Sequence, residues 1–343
     1  MNNIKEKVLV IRLSSLGDVS LISPVIEILN EKFEVHILTR RLPANIFLGD
    51  PRVAKVWVFE NYKHINSLIV KLAKEKFSHV IDLHLQPRTA FITSSLKFSG
   101  AKIHKYRKET ICRNLILKTG NRNICKTNHV IYRYLHALKF IDTQDNLWSS
   151  FKLKMPFFKE EYDEFNEKYE KILDKISNTV FFAIGAKYQS KRWPIEYFRE
   201  LGQHINNNGM YFGIVGGPED KKVGYELTQG FKGFNFAGLL PRETILLLNH
   251  AKLIVTNDSS HVHMGMLAGI PVIDIFGPTV KEFGFYPLGK YDRIIETDLN
   301  CRPCSMHGEK KCKRDDFACM REIKPERVFD EVLSVLKRVK EDE

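Results

Sequence analysis

The sequence predicts an α/β fold that consists of two Rossmann-like domains facing each other across a cleft. Three observations lead to this prediction. Short apolar runs alternate with helical patterns along the chain, the alternation pauses once near the middle, and 343 residues suffice for about two domains. Strands that alternate with helices are typical of a parallel sheet that is covered on both faces.

The first half of the chain begins with a predicted buried strand at residues 8–11. The Ser-Ser-Leu-Gly-Asp segment that follows it leads into a helix that ends at Leu29. Further strands are predicted at residues 35–38, 56–59, 80–85 and 103–106. Helical spacing of apolar residues predicts helices at residues 65–73, 89–96 and 129–141. The polar residues 142–156 then predict the approach to a linker.

The second half opens with a charged helix at residues 159–176, after which the alternation resumes. Its predicted strands are residues 180–184, 211–215, 234–236, 252–256 and 271–276. Its predicted helices are residues 194–205, 219–229, 242–251 and 259–268. We therefore expect an N-terminal domain over residues 1–155, a C-terminal domain over residues 156–324 and a final helix over residues 325–343, with a proline in its first turn.

The composition is that of an ordinary globular protein, with 43% hydrophobic and 27% charged residues. A membrane-spanning protein is not expected, because the longest apolar-rich stretch, residues 263–278, is short for a span and contains Asp274. No secretory signal is recognisable, and six cysteines in its absence indicate a reducing compartment.

The net charge of +12 is unevenly distributed. Residues 97–126 contain nine lysines and arginines but a single acidic residue, Glu109. Such a window attracts polyanions, whether nucleic acid, anionic lipid or a phosphorylated substrate. On charge alone, a solvated lysine-rich surface is the simpler interpretation.

Candidate binding loops follow the predicted strands. In the first half, Gly17 and Asp18 lie between a strand end and a helix start, which is where open α/β sheets bind ligands. Gly17 lets the backbone approach a ligand, and the alternative role of Asp18 is that of a helix cap. The loop matches neither the dinucleotide-binding glycine motif nor the P-loop, so the standard NAD and ATP sites lose support.

Four further loops of this kind occur in the second half, at residues 185–194, 215–219, 256–263 and 275–279. The first contains three cations ahead of a helix-starting proline, an arrangement that suits a phosphate. In the third, Asp258 or Ser259 caps a helix whose N–H groups can bind an anion. Together with the Asp18 loop, they form the expected layout of a diphosphate-sugar site between two domains.

These loops also carry a family resemblance. The motifs are Ile-Arg-Leu-Ser-Ser-Leu-Gly-Asp-Val at residues 11–19, Lys-Arg-Trp-Pro at 191–194, Gly-Gly-Pro-Glu at 216–219, Thr-Asn-Asp-Ser at 256–259 with His263, and Phe-Gly-Pro-Thr at 276–279. As an ordered set they resemble glycosyltransferase family nine, the ADP-heptose:lipopolysaccharide heptosyltransferases, which share the GT-B fold. The resemblance covers nearly the whole chain. It implies an inverting, metal-independent transfer of heptose to the inner core of lipopolysaccharide, without a cofactor.

The resemblance implies a role for each matching residue. Asp18 resembles the catalytic base, which removes the proton of the acceptor hydroxyl, and Lys191 resembles the lysine that meets the donor diphosphate. Glu219 resembles an acid near the nucleotide. The residues implied in holding the diphosphate and the heptose are Asp258, Ser259, Ser260 and His263. At Ser260 the sequence departs from the family, in which glycine is usual.

The implied acceptor, Kdo-bearing lipid A or its heptosylated form, is strongly anionic. This acceptor would explain the positive charge of residues 97–126. A basic N-terminal domain would attract both this acceptor and the inner leaflet of the membrane. The possible acceptor contacts are Gly17, Arg88, Arg107 and Arg113. We therefore expect a cytoplasmic monomer that lies peripherally at the inner face of the inner membrane and binds no nucleic acid.

Four cysteines cluster as Cys301-x2-Cys304-x7-Cys312-x6-Cys319, and three interpretations are open. They can form a structural zinc site, although the outer spacings differ from those of familiar zinc fingers. They can be buried thiols or a disulfide. The favoured interpretation is inheritance, because the cluster resembles a segment of some family members, especially those that add the second heptose, without a catalytic role.

Three alternative functions compete with heptose transfer. A family-nine transferase could use another sugar donor or acceptor. A nucleotide-sugar epimerase of the same fold would need acid–base groups on both faces of the sugar, whereas Asp18 is the one clear candidate. A basic nucleic-acid-binding protein would leave the Lys-Arg-Trp-Pro and Asn-Asp-Ser-Ser motifs at strand ends unexplained.

Overall fold

A computed structural model describes residues 5–141 and 151–342 of the chain. The chain divides into two compact units. Unit 1 comprises residues 1–108 and 130–159, and unit 2 comprises residues 109–129 and 160–343. The chain passes from unit 1 to unit 2 for the second time after residue 159, close to the expected division after residue 155. Residues 109–129, however, belong to unit 2 and not to the N-terminal unit.

Within the described part of unit 1, five strands form a parallel sheet in the order β3-β2-β1-β4-β5. The strands are β1 (Glu6–Ile11), β2 (Phe33–Thr39), β3 (Lys55–Val58), β4 (His79–Asp82) and β5 (Lys102–Lys105). In the register of the sheet, Ile11 lies opposite Leu38 on one side and Asp82 on the other. The apolar run of β1 is buried at the centre of the sheet, as its composition predicts.

The helices of unit 1 cover this sheet. They are α1 (Leu16–Ser20), α2 (Ser23–Lys32), α3 (Arg41–Phe47), α4 (Ile65–Lys74), α5 (Pro87–Phe98) and α7 (Val130–Leu135). Helix α6 (Thr110–Thr119) lies between α5 and α7 in the sequence but belongs to unit 2. The single helix predicted up to Leu29 is therefore two helices, because the chain turns at Leu21 and Ile22. Helix α3 and helix α6 were not predicted from the sequence.

Within the described part of unit 2, six parallel strands have the order β11-β10-β9-β6-β7-β8. The strands are β6 (Thr179–Ala183), β7 (Tyr211–Val215), β8 (Gly233–Asn235), β9 (Leu253–Asn257), β10 (Val272–Phe276) and β11 (Arg293–Glu296). The last of these was not predicted. The other five lie within two residues of their predicted positions.

The helices of unit 2 pack around this sheet, and several of them contribute with it to one large apolar core. They are α8 (Lys159–Tyr169), α9 (Leu173–Ser177), α10 (Ile195–Asn207), α11 (Lys221–Thr228), α12 (Pro241–Asn249), α13 (Ser260–Ala268), α14 (Ala318–Arg321) and α15 (Pro325–Asp342). Helix α15 buries Val328, Val332 and Val335 in this core. The predicted charged helix at residues 159–176 is interrupted by a 3₁₀ turn at Glu170–Ile172.

Both sheets have the doubly wound strand order, in which the direction of winding reverses beside the first strand. This reversal lies between β1 and β4 in unit 1, and between β6 and β9 in unit 2. Ligands of such sheets bind outside the carboxyl ends of the strands at this point. The prediction of an α/β fold with two Rossmann-like domains is confirmed, and the candidate loops lie where such folds bind ligands.

Two further expectations concern the linker and the membrane. Of the predicted linker, residues 142–150 lie outside the described residues, and residues 151–156 have no regular secondary structure. None of the helices within residues 5–141 and 151–342 combines the length and the apolar character needed to cross a membrane.

Candidate active site

Asp18 lies in the first turn of α1, directly beyond the carboxyl end of β1. Its Oδ2 accepts hydrogen bonds from the backbone N–H and the hydroxyl of Ser15, at 3.0 and 2.7 Å. Its Oδ1 forms an ion pair with Arg12 at 2.7 Å. Because each carboxylate oxygen has two lone pairs, Oδ2 is saturated by Ser15, whereas Oδ1 keeps acceptor capacity.

Three side chains around Asp18 were not assigned a role from the sequence. Arg12 is 8% exposed and donates a second hydrogen bond to the backbone oxygen of Leu83 at 2.5 Å. The Tyr134 hydroxyl lies 3.5 Å from Asp18 Oδ1, which is a weak contact. His84 is buried beyond the end of β4, and neither of its ring nitrogens has a hydrogen-bond partner among the described residues.

The electrostatics keep Asp18 ionised. Burial alone would raise the pKa of this carboxyl, but the Arg12 charge and the hydrogen bonds from Ser15 outweigh burial and lower it. Burial and the nearby Arg12 charge also lower the pKa of His84 to about 4, so this imidazole is neutral near pH 7. The site therefore offers an anionic oxygen acceptor beside a fixed cation.

The structure does not bring the predicted acceptor contacts together in one unit. Gly17 is buried in α1 next to Asp18. Arg88 lies over the Tyr62 ring in unit 1, 5.8 Å from the ring centre, and Arg107 is exposed in the same unit. Arg113 belongs to unit 2, where its guanidinium lies over the rings of Phe283 and Phe285. The basic window at residues 97–126 is thus divided between the two units.

In unit 2, Lys191 and Asp258 are in direct contact. Lys191 Nζ lies 2.5 Å from Asp258 Oδ2 and donates to the Asp258 backbone oxygen at 3.2 Å. The Thr279 hydroxyl donates to the same Oδ2 at 2.5 Å. Burial would raise the pKa of Asp258, but the Lys191 charge dominates together with these hydrogen bonds, and the pKa is lowered. Since an ammonium has three protons, one proton of Lys191 remains to meet a phosphate oxygen.

Two neighbouring side chains fix the position of Lys191. Asn257 at the end of β9 accepts a hydrogen bond from the Trp193 backbone and donates one to Ile184. The Trp193 ring is 2% exposed, and its indole nitrogen donates to the backbone oxygen of Ile323 at 2.8 Å. The Lys-Arg-Trp-Pro motif is therefore anchored in the core, which holds its lysine at the strand end.

The other predicted donor residues surround the start of α13. Ser259 is the N-cap of this helix and accepts from the His261 backbone at 3.3 Å, and Ser260 is its first residue. His263 is 6% exposed and close enough to Asp258 to help lower its pKa. Glu219 is exposed one loop away, and its charge acts on His261. The structure thus gathers Lys191, Asp258, Ser259, Ser260 and His263, and leaves Glu219 at the edge.

The cysteine segment supports this loop cluster through Arg302. This residue is 4% exposed, and its guanidinium donates to the backbone oxygens of Gly277, Thr279 and Thr297 and pairs with Glu296 at 2.8 Å. At Gly277 a Cβ atom would lie 2.5 Å from the sulfur of Met320 and 3.1 Å from the backbone oxygen of Ser190, so a larger residue would require Met320 to move. Arg302 therefore fixes the Gly-Pro-Thr loop that supplies Thr279.

The cysteines themselves fall into two groups. Cys301, Cys304, Cys312 and Cys319 are free thiols, and burial raises the pKa of Cys319 to about 11. Cys112 and Cys125, which lie outside this cluster, are joined in a disulfide between α6 and the segment that follows it. The zinc hypothesis for the four-cysteine cluster stays a prediction.

We expect the Arg302→Met variant to lose about 3 kcal/mol of unfolding free energy. Breaking a buried ion pair by removing one partner costs about 3–5 kcal/mol, and Glu296 keeps Arg122 as a second partner at 2.7 Å. Urea unfolding measures the loss. Arg314→Met is the matched control, because Arg314 lies in the same segment but is exposed with its partner Asp316. Equal stability of the two variants would show that Arg302 does not hold the loop.

The chain is similar to known proteins over most of its length. The model of the family described as glycosyltransferase family 9 (heptosyltransferase) matches residues 65–314. The chain is 26% identical over 336 residues to lipooligosaccharide heptosyltransferase 2 of Campylobacter jejuni, covering 92% of this chain and 95% of the relative. It is 28% identical to lipopolysaccharide heptosyltransferase 2 of Salmonella typhimurium over 170 residues, which cover 46% of either chain.

Two solved structures share the fold over nearly the full length. A glycosyl transferase family 9 protein from Veillonella parvula has a TM-score of 0.76 at 20% identity, with 98% of this chain and 99% of that chain covered. The E. coli ADP-heptose lps heptosyltransferase II has a TM-score of 0.75 at 20% identity, with 97% and 99% covered.

Two doubly wound units with charged loops at the reversal of each sheet, together with this structural likeness, define the GT-B fold. The family match covers more than half of the chain, so this chain belongs to glycosyltransferase family 9. The resemblance that the sequence motifs suggested is confirmed.

Proposed function

We propose that the protein transfers a heptose from ADP-heptose to the inner core of a lipopolysaccharide precursor, with Kdo-lipid A or its heptosylated form as acceptor. The observation that carries the proposal is the Lys191–Asp258–Thr279 cluster at the start of α13, where the Lys191 ammonium and the N–H groups of the helix start can meet a diphosphate. The similarity to lipooligosaccharide heptosyltransferase 2 of Campylobacter jejuni supports heptose as the sugar.

In the proposed reaction, Asp18 Oδ1 takes the proton of the acceptor hydroxyl, whose oxygen attacks the anomeric carbon of the heptose. The bond from this carbon to the ADP oxygen breaks as the new glycosidic bond forms, with inversion at the carbon. ADP leaves with the bonding electron pair, and Lys191 stabilises the negative charge on its diphosphate, as a metal ion does in other transferases. Glu219 lies near the nucleotide in this proposal.

The ion pair with Arg12 makes Asp18 a weak base, because it stabilises the ionised form. Such a base is sufficient when the glycosidic transition state resembles an oxocarbenium ion, since the attacking hydroxyl then loses its proton late. In return, Asp18 is ionised at every physiological pH and ready to accept a proton.

The acceptor is proposed to bind at unit 1 through cations. Lys102, Lys105, Arg107 and Lys108 are exposed in and after β5, and Arg88 lies at the start of α5. An anionic lipid headgroup or the anionic acceptor itself is attracted by such a surface. We further propose that the enzyme acts as a cytoplasmic monomer at the inner face of the inner membrane.

Thermal unfolding in the presence of ADP tests the donor site, with UDP, GDP and NAD as controls. A ligand present at about 100 times its dissociation constant adds roughly 2.7 kcal/mol to the stability of the folded state. We expect a rise in Tm with ADP alone. A rise with UDP or GDP instead would contradict the adenine nucleotide donor, and no rise with any nucleotide would contradict the donor site.

The pH dependence of transfer follows from the lowered pKa of Asp18. A base works in its ionised form, so kcat should fall only as the pH drops through this pKa, which lies below the ordinary carboxyl value of about 3.9. We expect a kcat that is flat between pH 5 and 8 at saturating substrate. His84 is already neutral in that range and adds no acidic limb. An acidic limb with a midpoint near pH 6 would contradict Asp18 as the base.

A further inference from the structure

Three side chains on two helices of unit 2 form a cluster that the transfer reaction does not use. Glu200 and His204 are four residues apart on α10 and therefore lie on one face of it. Glu326 lies in the first turn of α15, which packs against α10. One ligand atom of each residue lies within 4.8 Å of those of the other two.

Within residues 5–141 and 151–342, neither Glu200 nor Glu326 lies within salt-bridge distance of a basic side chain. Two carboxylates held this close repel each other unless a cation lies between them. The Nε2 atom of His204 is sheltered from solvent and has no hydrogen-bond partner within the described part of the chain. An unsatisfied nitrogen of this kind is costly without a partner.

We propose that Glu200, His204 and Glu326 bind one divalent transition-metal ion, with zinc or cobalt as the preferred class. One imidazole and two carboxylates are ligands that such ions accept, whereas magnesium and calcium prefer oxygen ligands alone. Protein ligands within 4.8 Å of one another need only small side-chain rotations to reach an ion at about 2.0–2.2 Å. Three protein ligands leave a position for water.

The ion would clamp the start of α15 to the middle of α10. Helix α10 follows directly on the Lys-Arg-Trp-Pro loop, and the Ile323 carbonyl that anchors Trp193 precedes α15 by two residues. The clamp therefore stabilises the scaffold that carries Lys191. It takes no part in the chemistry of transfer, and the inference does not rest on the proposed function.

Titration of the metal-free protein with CoCl₂ tests this site, because cobalt reports its ligands by absorption. We expect one equivalent to bind with weak visible bands and without the intense near-ultraviolet band of thiolate ligation, and a rise in Tm with cobalt or zinc but not with magnesium. The variants His204→Ala and Glu326→Gln should lose at least tenfold in cobalt affinity. His136→Ala, an exposed histidine outside the cluster, should bind like the wild type.

Each other outcome overturns the proposal. Binding that persists in both variants, or a strong thiolate band, would assign the ion to other residues such as the four free cysteines. Absence of binding in the wild type would show that the cluster is not a metal site. Glu326 is exposed, so Glu326→Gln folds like the wild type and keeps the test valid if His204→Ala is unstable.

Discussion

Replacing Asp18 by asparagine is expected to lower kcat by about 10²–10⁴-fold, the usual contribution of a positioned general base. Asparagine has nearly the same shape and keeps an oxygen that can accept from Ser15, but it cannot take up a proton. ADP binding should stay within a few-fold of the wild type, because Asp18 belongs to unit 1 and the donor cluster to unit 2. Transfer kinetics and ADP titration measure the two effects separately.

The asparagine variant also removes the counter-ion of Arg12, which is buried. Some loss of stability is therefore expected, and kcat must be measured where the variant is fully folded. Glu27→Gln is the matched control, because Glu27 pairs with the buried Arg52 of the same unit at 2.8 Å. Near-normal turnover of Asp18→Asn, or an equal loss in Glu27→Gln, would remove Asp18 from the mechanism.

Replacing Lys191 by alanine is expected to weaken ADP binding by roughly tenfold to a hundredfold and to lower turnover as well. A hydrogen bond to a charged group contributes about 1.5–3 kcal/mol, and about 1.4 kcal/mol is a factor of ten in affinity. The loss has a second cause. Without Lys191, the Asp258 carboxylate is no longer neutralised and repels the diphosphate.

This second cause yields a sharper test. The double variant Lys191→Ala/Asp258→Asn should bind ADP more tightly than Lys191→Ala alone, because the repelling charge is gone. Lys187→Ala is the control, since Lys187 lies exposed in the same loop over the Tyr188 ring. If ADP affinity is unchanged in Lys191→Ala, or falls equally in Lys187→Ala, then Lys191 does not meet the diphosphate.

The sequence predicts the loops that carry Asp18, Lys191 and Asp258 because each follows an apolar strand, and the carboxyl ends of parallel strands meet at one edge of a sheet. It does not predict Tyr134 beside Asp18, because 116 residues separate them in the chain. The sequence does not predict the contacts of Arg302 either, because this residue lies between two cysteines that were interpreted as possible metal ligands. Contacts between distant segments depend on packing, which local patterns do not encode.

The division of the basic window has a similar origin. Helix α6 buries Ile116 against Val280 and Phe283, so residues 109–129 pack with unit 2 although unit 1 lies on both sides of them in sequence. A count of charges along the chain cannot show that residues 109–129 pack with the other unit. As a result, Arg113 and Arg107 do not lie in the same unit, although six residues separate them.

The most direct test of the proposed function is a transfer assay with purified protein, ADP-heptose and two acceptors, Kdo-lipid A and its monoheptosylated form. Mass spectrometry of the lipid product shows whether a sugar has been added. We predict that one acceptor gains the mass of a single heptose with release of one ADP, and that Asp18→Asn abolishes the gain. If neither acceptor gains mass while ADP still raises the Tm, the protein binds the nucleotide but does not transfer heptose to this core.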